Sequence, residues 1–172
     1  SLKGATSLGL LNPMDKTDNG KAEGKYEFKM ATGADEILPL MIKGELDIAL
    51  IPANAAANLY QKSNKAIQVI DINTLGVLYI VTGDESVTTV DDLKGKTIYS
   101  TGKGATPEAA IMSVLEGSGL SADDYEVEFK SEATEVVAML AQTPEAVAVL
   151  PQPFVTAATI QNDQLKVVMD LS

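Results

Sequence analysis

The sequence contains no cysteine, histidine, tryptophan or arginine, and only 5% of its 172 residues are aromatic. Without cysteine there are no disulfides and no thiolate chemistry, and without histidine there is no imidazole for acid or base catalysis. All thirteen basic residues are lysines, so a guanidinium group cannot bind an acidic ligand in bidentate fashion. These absences argue against an enzyme.

Long apolar runs and basic blocks are also missing. The longest uninterrupted apolar stretch, residues 75–81, is far shorter than the roughly 18 residues needed to cross a bilayer. The formal net charge is −11 without a compensating basic block, which excludes nucleic acid as the main partner. Most of the acidity lies in residues 76–172, which hold five lysines against fifteen acids, and we interpret it as a solvated face.

Hydrophobic periodicity predicts that strands alternate with helices. The predicted strands are residues 26–30, 46–51, 67–71, 76–81, 96–100 and 125–130. The predicted helices are residues 36–43, 53–62, 107–116 and 134–142, and residues 147–150, 153–160 and 165–169 complete the alternation. Alternation of this kind indicates an α/β fold with parallel sheets.

The chain also contains an internal duplication. Residues 26–52 align without a gap on residues 125–151 at an offset of 99, so that Glu36, for example, recurs as Glu135. Upstream, the Lys-Gly-Ala-Thr segment that begins at Lys3 reappears at Lys103. The duplication predicts two related α/β halves.

The repeated Lys-Gly-Ala-Thr segment is the predicted ligand site of each half. The second copy lies between a strand and a helix, with Thr106 as the predicted N-cap and Pro107 as the first helical residue. Its glycines let free amides at the helix start point beyond the strand end, where they would bind an anion or a carbonyl. The first copy would face it, so that the two loops form a clamp; a plain Gly-rich connection is the alternative. The candidate residues are Lys3, Gly4, Ala5, Thr6 and Ser7 in the first half and Thr101, Gly102, Lys103, Gly104, Ala105 and Thr106 in the second.

Further candidates follow the duplicated strand in each half. Asn54 and Gln152 are expected to hydrogen-bond the ligand and Phe154 to supply an apolar wall, with simple packing at strand ends as the equal alternative. Glu132 and Glu135 form the most obvious carboxylate pair, but they lie at a predicted helix start, where acids favour the helix dipole. The sequence shows no cluster of oxygen-bearing side chains of the kind that binds a metal ion, and no cofactor is predicted.

Three segments of the chain resemble the substrate-binding proteins of ABC importers. They are Asp92-Leu93-Lys94-Gly95-Lys96-Thr97-Ile98, Lys103-Gly104-Ala105-Thr106-Pro107 and Leu150-Pro151-Gln152-Pro153-Phe154. The chain is most similar to the nitrate, sulfonate, taurine and thiamine-precursor group. The resemblance implies a two-lobed periplasmic-binding-protein fold of type 2, with no cofactor, that closes on a small-molecule solute.

The resemblance also implies how the lobes are connected. The first lobe is expected at residues 1–75 and the second at 76–172, with crossings near 72–76 and 170–172 and with Thr74 close to the ligand. Members of the family continue beyond the second crossing and begin with an earlier strand, so we expect the first lobe to be incomplete. Ser1-Leu2-Lys3 has no signal-peptide pattern, and we expect that any export signal or lipid anchor preceded it.

The sequence therefore predicts a monomeric extracytoplasmic receptor that delivers a small polar or anionic organic molecule to the membrane permease of an ABC importer. A sulfonate, a carboxylate or a pyrimidine precursor fits this description. The first alternative is a ligand-sensing domain of a larger regulator. The second is an enzyme on the same fold, which the absence of histidine disfavours.

Overall fold

The computed structural model describes residues 1–171. The chain divides into two compact units, Ser1–Thr74 and a second unit that begins at Leu75. Within the described residues, no helix is both long enough and apolar enough to cross a membrane.

The first unit contains four helices: α1 (Ala5–Leu8), α2 (Leu11–Asp18), α3 (Ala34–Ile42) and α4 (Ala53–Lys62). The last two correspond to predicted helices, and α4 has the predicted bounds. Helix α2 was not predicted. Its start is marked only by Pro13 in the first turn, a position where proline suits a helix.

The three strands predicted in the first unit are wrong. Residues 26–30, 46–51 and 67–71 join no β-ladder, and the described part of this unit has only an isolated parallel bridge between Leu2 and Ala31. A strand is stable only beside a partner. The apolar side chains of these segments lack such cover, since Ile48 is 67% exposed and Ile70 is 74% exposed.

The second unit is built on one five-stranded sheet. Its strands are β1 (Leu78–Thr82), β2 (Thr97–Ser100), β3 (Glu126–Phe129), β4 (Val147–Pro151) and β5 (Lys166–Asp170), in the spatial order β3-β2-β4-β1-β5. Strand β2 is parallel to both β3 and β4, as predicted, whereas β1 is antiparallel to β4 and β5. The sheet is therefore mixed, because the connection from β1 to β2 contains only a short 3-10 turn at Asp91–Leu93 and no crossover helix that would make β1 parallel to its neighbours.

Three helices cover the two faces of this sheet: α5 (Thr106–Gly117), α6 (Ala133–Gln142) and α7 (Phe154–Gln161). Along β4, Val147 and Val149 pack in the core beneath α5, while Ala148 and Leu150 pack in the core beneath α6 and α7. Successive side chains of a strand point to opposite faces, so a central strand buried on both sides is apolar throughout.

The direction of the parallel strands positions the candidate site. Strands β2, β3 and β4 end at the same edge of the sheet, and α5, α6 and α7 each begin just beyond it. We refer to this edge, formed by residues 101–105, 130–132 and 152–153, as the carboxyl edge, and to the opposite one as the amino edge. At the end of β5 the Leu171 amide donates to the Leu78 carbonyl at 2.9 Å, while Ser172, part of the predicted second crossing, lies outside the described residues.

Candidate functional site

The loop that follows β2 turns through two left-handed glycines. Gly102 has a φ of 74° and Gly104 a φ of 75°, a region that other residues rarely adopt, and the Ala105 amide donates to the Gly102 carbonyl at 2.9 Å. Ala105 keeps an extended backbone and is the N-cap of α5. The prediction of Thr106 as N-cap is therefore wrong by one residue, because the chain is already helical at Thr106.

The amides of this loop are engaged within the second unit itself. The Gly104 amide donates to a carboxylate oxygen of Glu108 at 2.6 Å, one turn into α5. The expectation of free amides is thus wrong for both residues, because the Gly104 amide is bound by the Glu108 carboxylate and the Ala105 amide by the Gly102 carbonyl. An anion that binds at Gly104 has to replace the Glu108 carboxylate.

The duplicated glutamates have the same capping role in both units. Glu135 accepts a hydrogen bond from the Ser131 amide at 3.1 Å before α6, and Glu36 accepts one from the Thr32 amide at 2.9 Å before α3. The bonds from Thr32 hold the pKa of Glu36 below its usual value. Glu36 and Glu135 therefore stabilise helix starts, which agrees with the helix-dipole interpretation of the acid at position 135.

The corresponding loop of the first unit is also closed on itself. Gly4 has a φ of 113°, and α1, a single turn, begins directly after it. The Thr6 hydroxyl donates to the Leu2 carbonyl at 3.0 Å, and the Ser7 hydroxyl donates to the Gly4 carbonyl at 2.9 Å. Lys3 is exposed beside them.

The remaining predicted residues are distributed over both units. In the first, the Asn54 side chain accepts from the Ala55 amide at 2.9 Å, and the half-buried Thr74 donates to the Asn73 side chain at 3.3 Å. In the second, Gln152 accepts from the Thr156 hydroxyl at 2.9 Å. Phe154 packs against the core beneath α6 and α7. The structure thus gathers loop 101–105, Gln152 and Phe154 at the carboxyl edge of the second unit.

A charged pair over an aromatic ring at this edge was missed by the sequence analysis. The Lys130 ammonium lies 5.4 Å from the centre of the Tyr99 ring and forms an ion pair with Glu128. The Lys130 amide donates to the Ser100 carbonyl at 2.8 Å, which places the residue beside the root of loop 101–105. The bond to Glu128 raises the pKa of Lys130, so the amine stays protonated. The sequence held one sign of this role, because Lys130 directly follows a strand as loop 101–105 does.

The amino edge carries an open cavity of about 180 Å³, lined in part by Thr82, Asp84 and Lys166. The charges around it satisfy one another, because Asp84 pairs with Lys96 at 2.7 Å and Lys166 lies 3.5 Å from Glu85. Nowhere in residues 1–171 do three or more acidic side chains come close enough to hold a metal ion.

Comparison with known proteins agrees with this geometry. Residues 21–170 match the family described as "ABC transporter, phosphonate, periplasmic substrate-binding protein". The chain belongs to this family. No curated protein matches the sequence of this family member.

Solved structures of ABC substrate-binding proteins share the fold of this periplasmic substrate-binding protein. An ABC transporter structure from Parabacteroides distasonis has a TM-score of 0.75 at 27% identity, and the match covers 99% of this chain and 57% of that one. The aliphatic sulphonate binding protein SsuA from Escherichia coli has a TM-score of 0.70 at 19% identity, covering 98% and 58%. The alkanesulfonate-binding protein SsuA from Xanthomonas axonopodis pv. citri, bound to MOPS, has a TM-score of 0.65 at 20% identity, covering 98% and 58%.

These matches confirm the predicted α/β periplasmic-binding-protein fold of type 2. The chain spans a little over half the length of the three solved structures. The narrower resemblance to the nitrate, sulfonate, taurine and thiamine-precursor group stays a prediction.

Proposed function

We propose that this chain acts as an extracytoplasmic receptor that captures a small organic solute with a phosphonate, sulfonate or carboxylate group and delivers it to the membrane permease of an ABC importer. The family match over residues 21–170 carries the proposal, because the description of the family names phosphonate and a periplasmic substrate-binding protein of an ABC transporter. The sulfonate-binding proteins among the solved structures support an acidic ligand. We further propose that the receptor works as a monomer.

The chemistry of the carboxyl edge supports an acidic or strongly polar ligand. Without arginine, such a ligand has to be held by amides, hydroxyls and lysine ammonium groups. In the second unit these are supplied by Thr101, Gly102, Lys103, Gly104, Ala105, Thr106 and Gln152, with Phe154 as an apolar neighbour. In the first unit the proposed contacts are residues Lys3, Gly4, Ala5, Thr6, Ser7, Asn54 and Thr74.

A receptor fits these residues better than an enzyme does. The chain has no histidine or cysteine to act as nucleophile or base, and the acids at the helix starts are engaged as caps. Binding proteins of this kind need only a ligand that favours one conformation over another. We therefore propose that the solute leaves the protein chemically unchanged.

A thermal-shift titration with matched ligands tests the proposed function. The panel contains methylphosphonate, methanesulfonate, taurine, acetate, nitrate and a pyrimidine, and dimethyl methylphosphonate serves as the neutral control. A ligand that binds only the native state stabilises it by about 2.7 kcal/mol at a hundred times its Kd, so Tm should rise with concentration for one acid class and not for the ester. A panel without any rise contradicts the proposal. Phosphate or sulfite release from a bound ligand would instead support an enzyme.

A further inference from the structure

The five lysines of the second unit divide between the two edges of its sheet. Lys94 and Lys96 precede β2, and Lys166 begins β5, so these three lie at the amino edge. Lys103 and Lys130 follow β2 and β3 at the carboxyl edge. Ligands of open α/β sheets bind beyond the carboxyl ends of the strands. Among residues 75–171, Lys103 and Lys130 are therefore the lysines placed to meet an acidic ligand.

The two lysines at the carboxyl edge differ in how firmly they are held. Lys103 is exposed between the two left-handed glycines of its loop. The Lys130 side chain is 31% exposed and is held over the Tyr99 ring by an ion pair with Glu128. Its backbone is tied to Ser100 by a hydrogen bond of 2.8 Å. A group that is already ordered loses less conformational entropy when a ligand binds.

We propose that Lys130 is the cationic residue that recognises the acidic group of the ligand, with Tyr99 and Glu128 as positioning residues. The inference rests on the proposed function, because it requires an acidic ligand.

The Lys130 ammonium retains donors with which it can bind an anion. A lysine ammonium has three donors, and the pair with Glu128 uses only part of them. The Tyr99 ring supports the cation from one side without accepting a conventional hydrogen bond. The other acid near Lys130, Glu135, is engaged by the Ser131 amide at 3.1 Å. The ammonium is therefore protonated and held over Tyr99 and Glu128, the register pair next to the ends of β2 and β3, with donors left for an anion at the carboxyl edge.

The chain offers a matched control for this proposal on the same two strands. Lys94 also forms an ion pair, with Asp124 at 2.8 Å, and this contact likewise raises the pKa of Lys94. However, Lys94 precedes β2 and Asp124 precedes β3, so the pair lies at the amino edge. Lys130→Gln and Lys94→Gln therefore make the same charge change at opposite ends of one strand pair.

Calorimetric titration of the full chain with methylphosphonate and methanesulfonate tests the assignment. Lys130→Gln should weaken binding of the recognised acid roughly tenfold or more, because it removes one charged hydrogen bond. Lys94→Gln should change the affinity less than about twofold. Lys130→Gln should also abolish the preference for methylphosphonate over its neutral dimethyl ester. A folding defect would not remove that preference selectively.

The positioning role of the ring has its own comparison. Tyr99→Phe keeps the aromatic face and should retain the wild-type affinity for the acid, whereas Tyr99→Leu should weaken it several-fold. Equal affinities for Tyr99→Leu and Tyr99→Phe would overturn the positioning role. Both variants are checked for an unchanged Tm profile in the absence of ligand.

Two results would overturn the Lys130 assignment, and they are distinguishable. If the wild-type chain binds an acid and Lys130→Gln binds it as well as Lys94→Gln does, the assignment fails and the proposed function stands. If the wild-type chain binds none of the acids, both fail.

Discussion

Replacing Gly104 by valine separates the ligand-binding role of its loop from its effect on stability. Gly104 has a φ of 75°, and a Cβ built on it meets no heavy atom within 4 Å, so the destabilisation arises from the backbone conformation alone. Gly119 has a φ of 90° and equally open surroundings. It lies beyond the other end of α5, and 12 helical residues separate the two positions by about 18 Å. Gly119→Val is therefore a matched control.

The expected magnitudes follow from this geometry. A side chain forced into the left-handed region costs about 1–2 kcal/mol, so both variants should lose a similar free energy of unfolding. For a unit of this size, each kcal/mol lowers Tm by roughly 4–8 °C. The affinity should diverge, because valine at position 104 redirects the amides of the loop. We expect Gly104→Val to bind the acid at least about tenfold more weakly, or about 1.4 kcal/mol, and Gly119→Val to bind it normally.

Differential scanning calorimetry gives the stability of each variant, and isothermal titration with the acid found by the thermal-shift panel gives its affinity. Both are measured well below the lowered Tm so that each variant is folded. The reasoning is refuted if Gly104→Val retains the wild-type affinity. It is also refuted if both variants lose affinity equally, since the loss would then follow stability and not the position of the loop.

Three further predictions concern stability and ligand competition. Asp92 accepts hydrogen bonds from two backbone amides and two threonine hydroxyls, which lower its pKa to about 2. Its ionised form therefore stabilises the fold above about pH 4, and this contribution disappears as the pH falls toward 2. Asp92→Asn should accordingly lower Tm most at pH 5 and above, and a Tm difference that grows toward pH 2 would contradict the sign. Leu140 is fully buried, so Leu140→Ala should cost about 2–5 kcal/mol in urea unfolding, whereas Ile160→Ala, at a side chain 79% exposed, should change stability by less than about 0.5 kcal/mol. Glu108→Gln removes the charge that competes with an anion at the loop and should strengthen acid binding in calorimetry several-fold relative to Glu116→Gln at the far end of α5, whereas equal affinities would exclude that competition.

Local features of the sequence were sufficient where the structure depends on neighbours along the chain. Helix α4 has the bounds predicted for it, and the continuous apolar run at 147–150 forms the central strand β4. The equivalence of Glu36 and Glu135 across the duplication also corresponds to the same capping hydrogen bond in both units. A cap involves residues three or four positions apart, so sequence spacing is enough to predict it.

Contacts between distant residues were not predictable in the same way. The segments at 46–51 and 67–71 carry strand-like patterns but remain outside any ladder, because a pattern does not supply a partner strand. The antiparallel direction of β1 depends on its pairing with β4, some seventy residues later. Lys130 emerged as a candidate only when β3 was placed beside β2, which brought its ammonium over the Tyr99 ring.

The sequence by itself determined the α/β class, the duplication with its equivalent glutamates at two helix starts, and the absence of imidazole, thiol and guanidinium chemistry, since these depend on composition and short-range spacing. The tertiary structure decided which strands pair, which edge of the sheet gathers loop 101–105 with Gln152 and Lys130, and which amides are already engaged by glutamates. Those outcomes depend on hydrogen bonds and packing between residues far apart in the chain, whose partners no local pattern specifies.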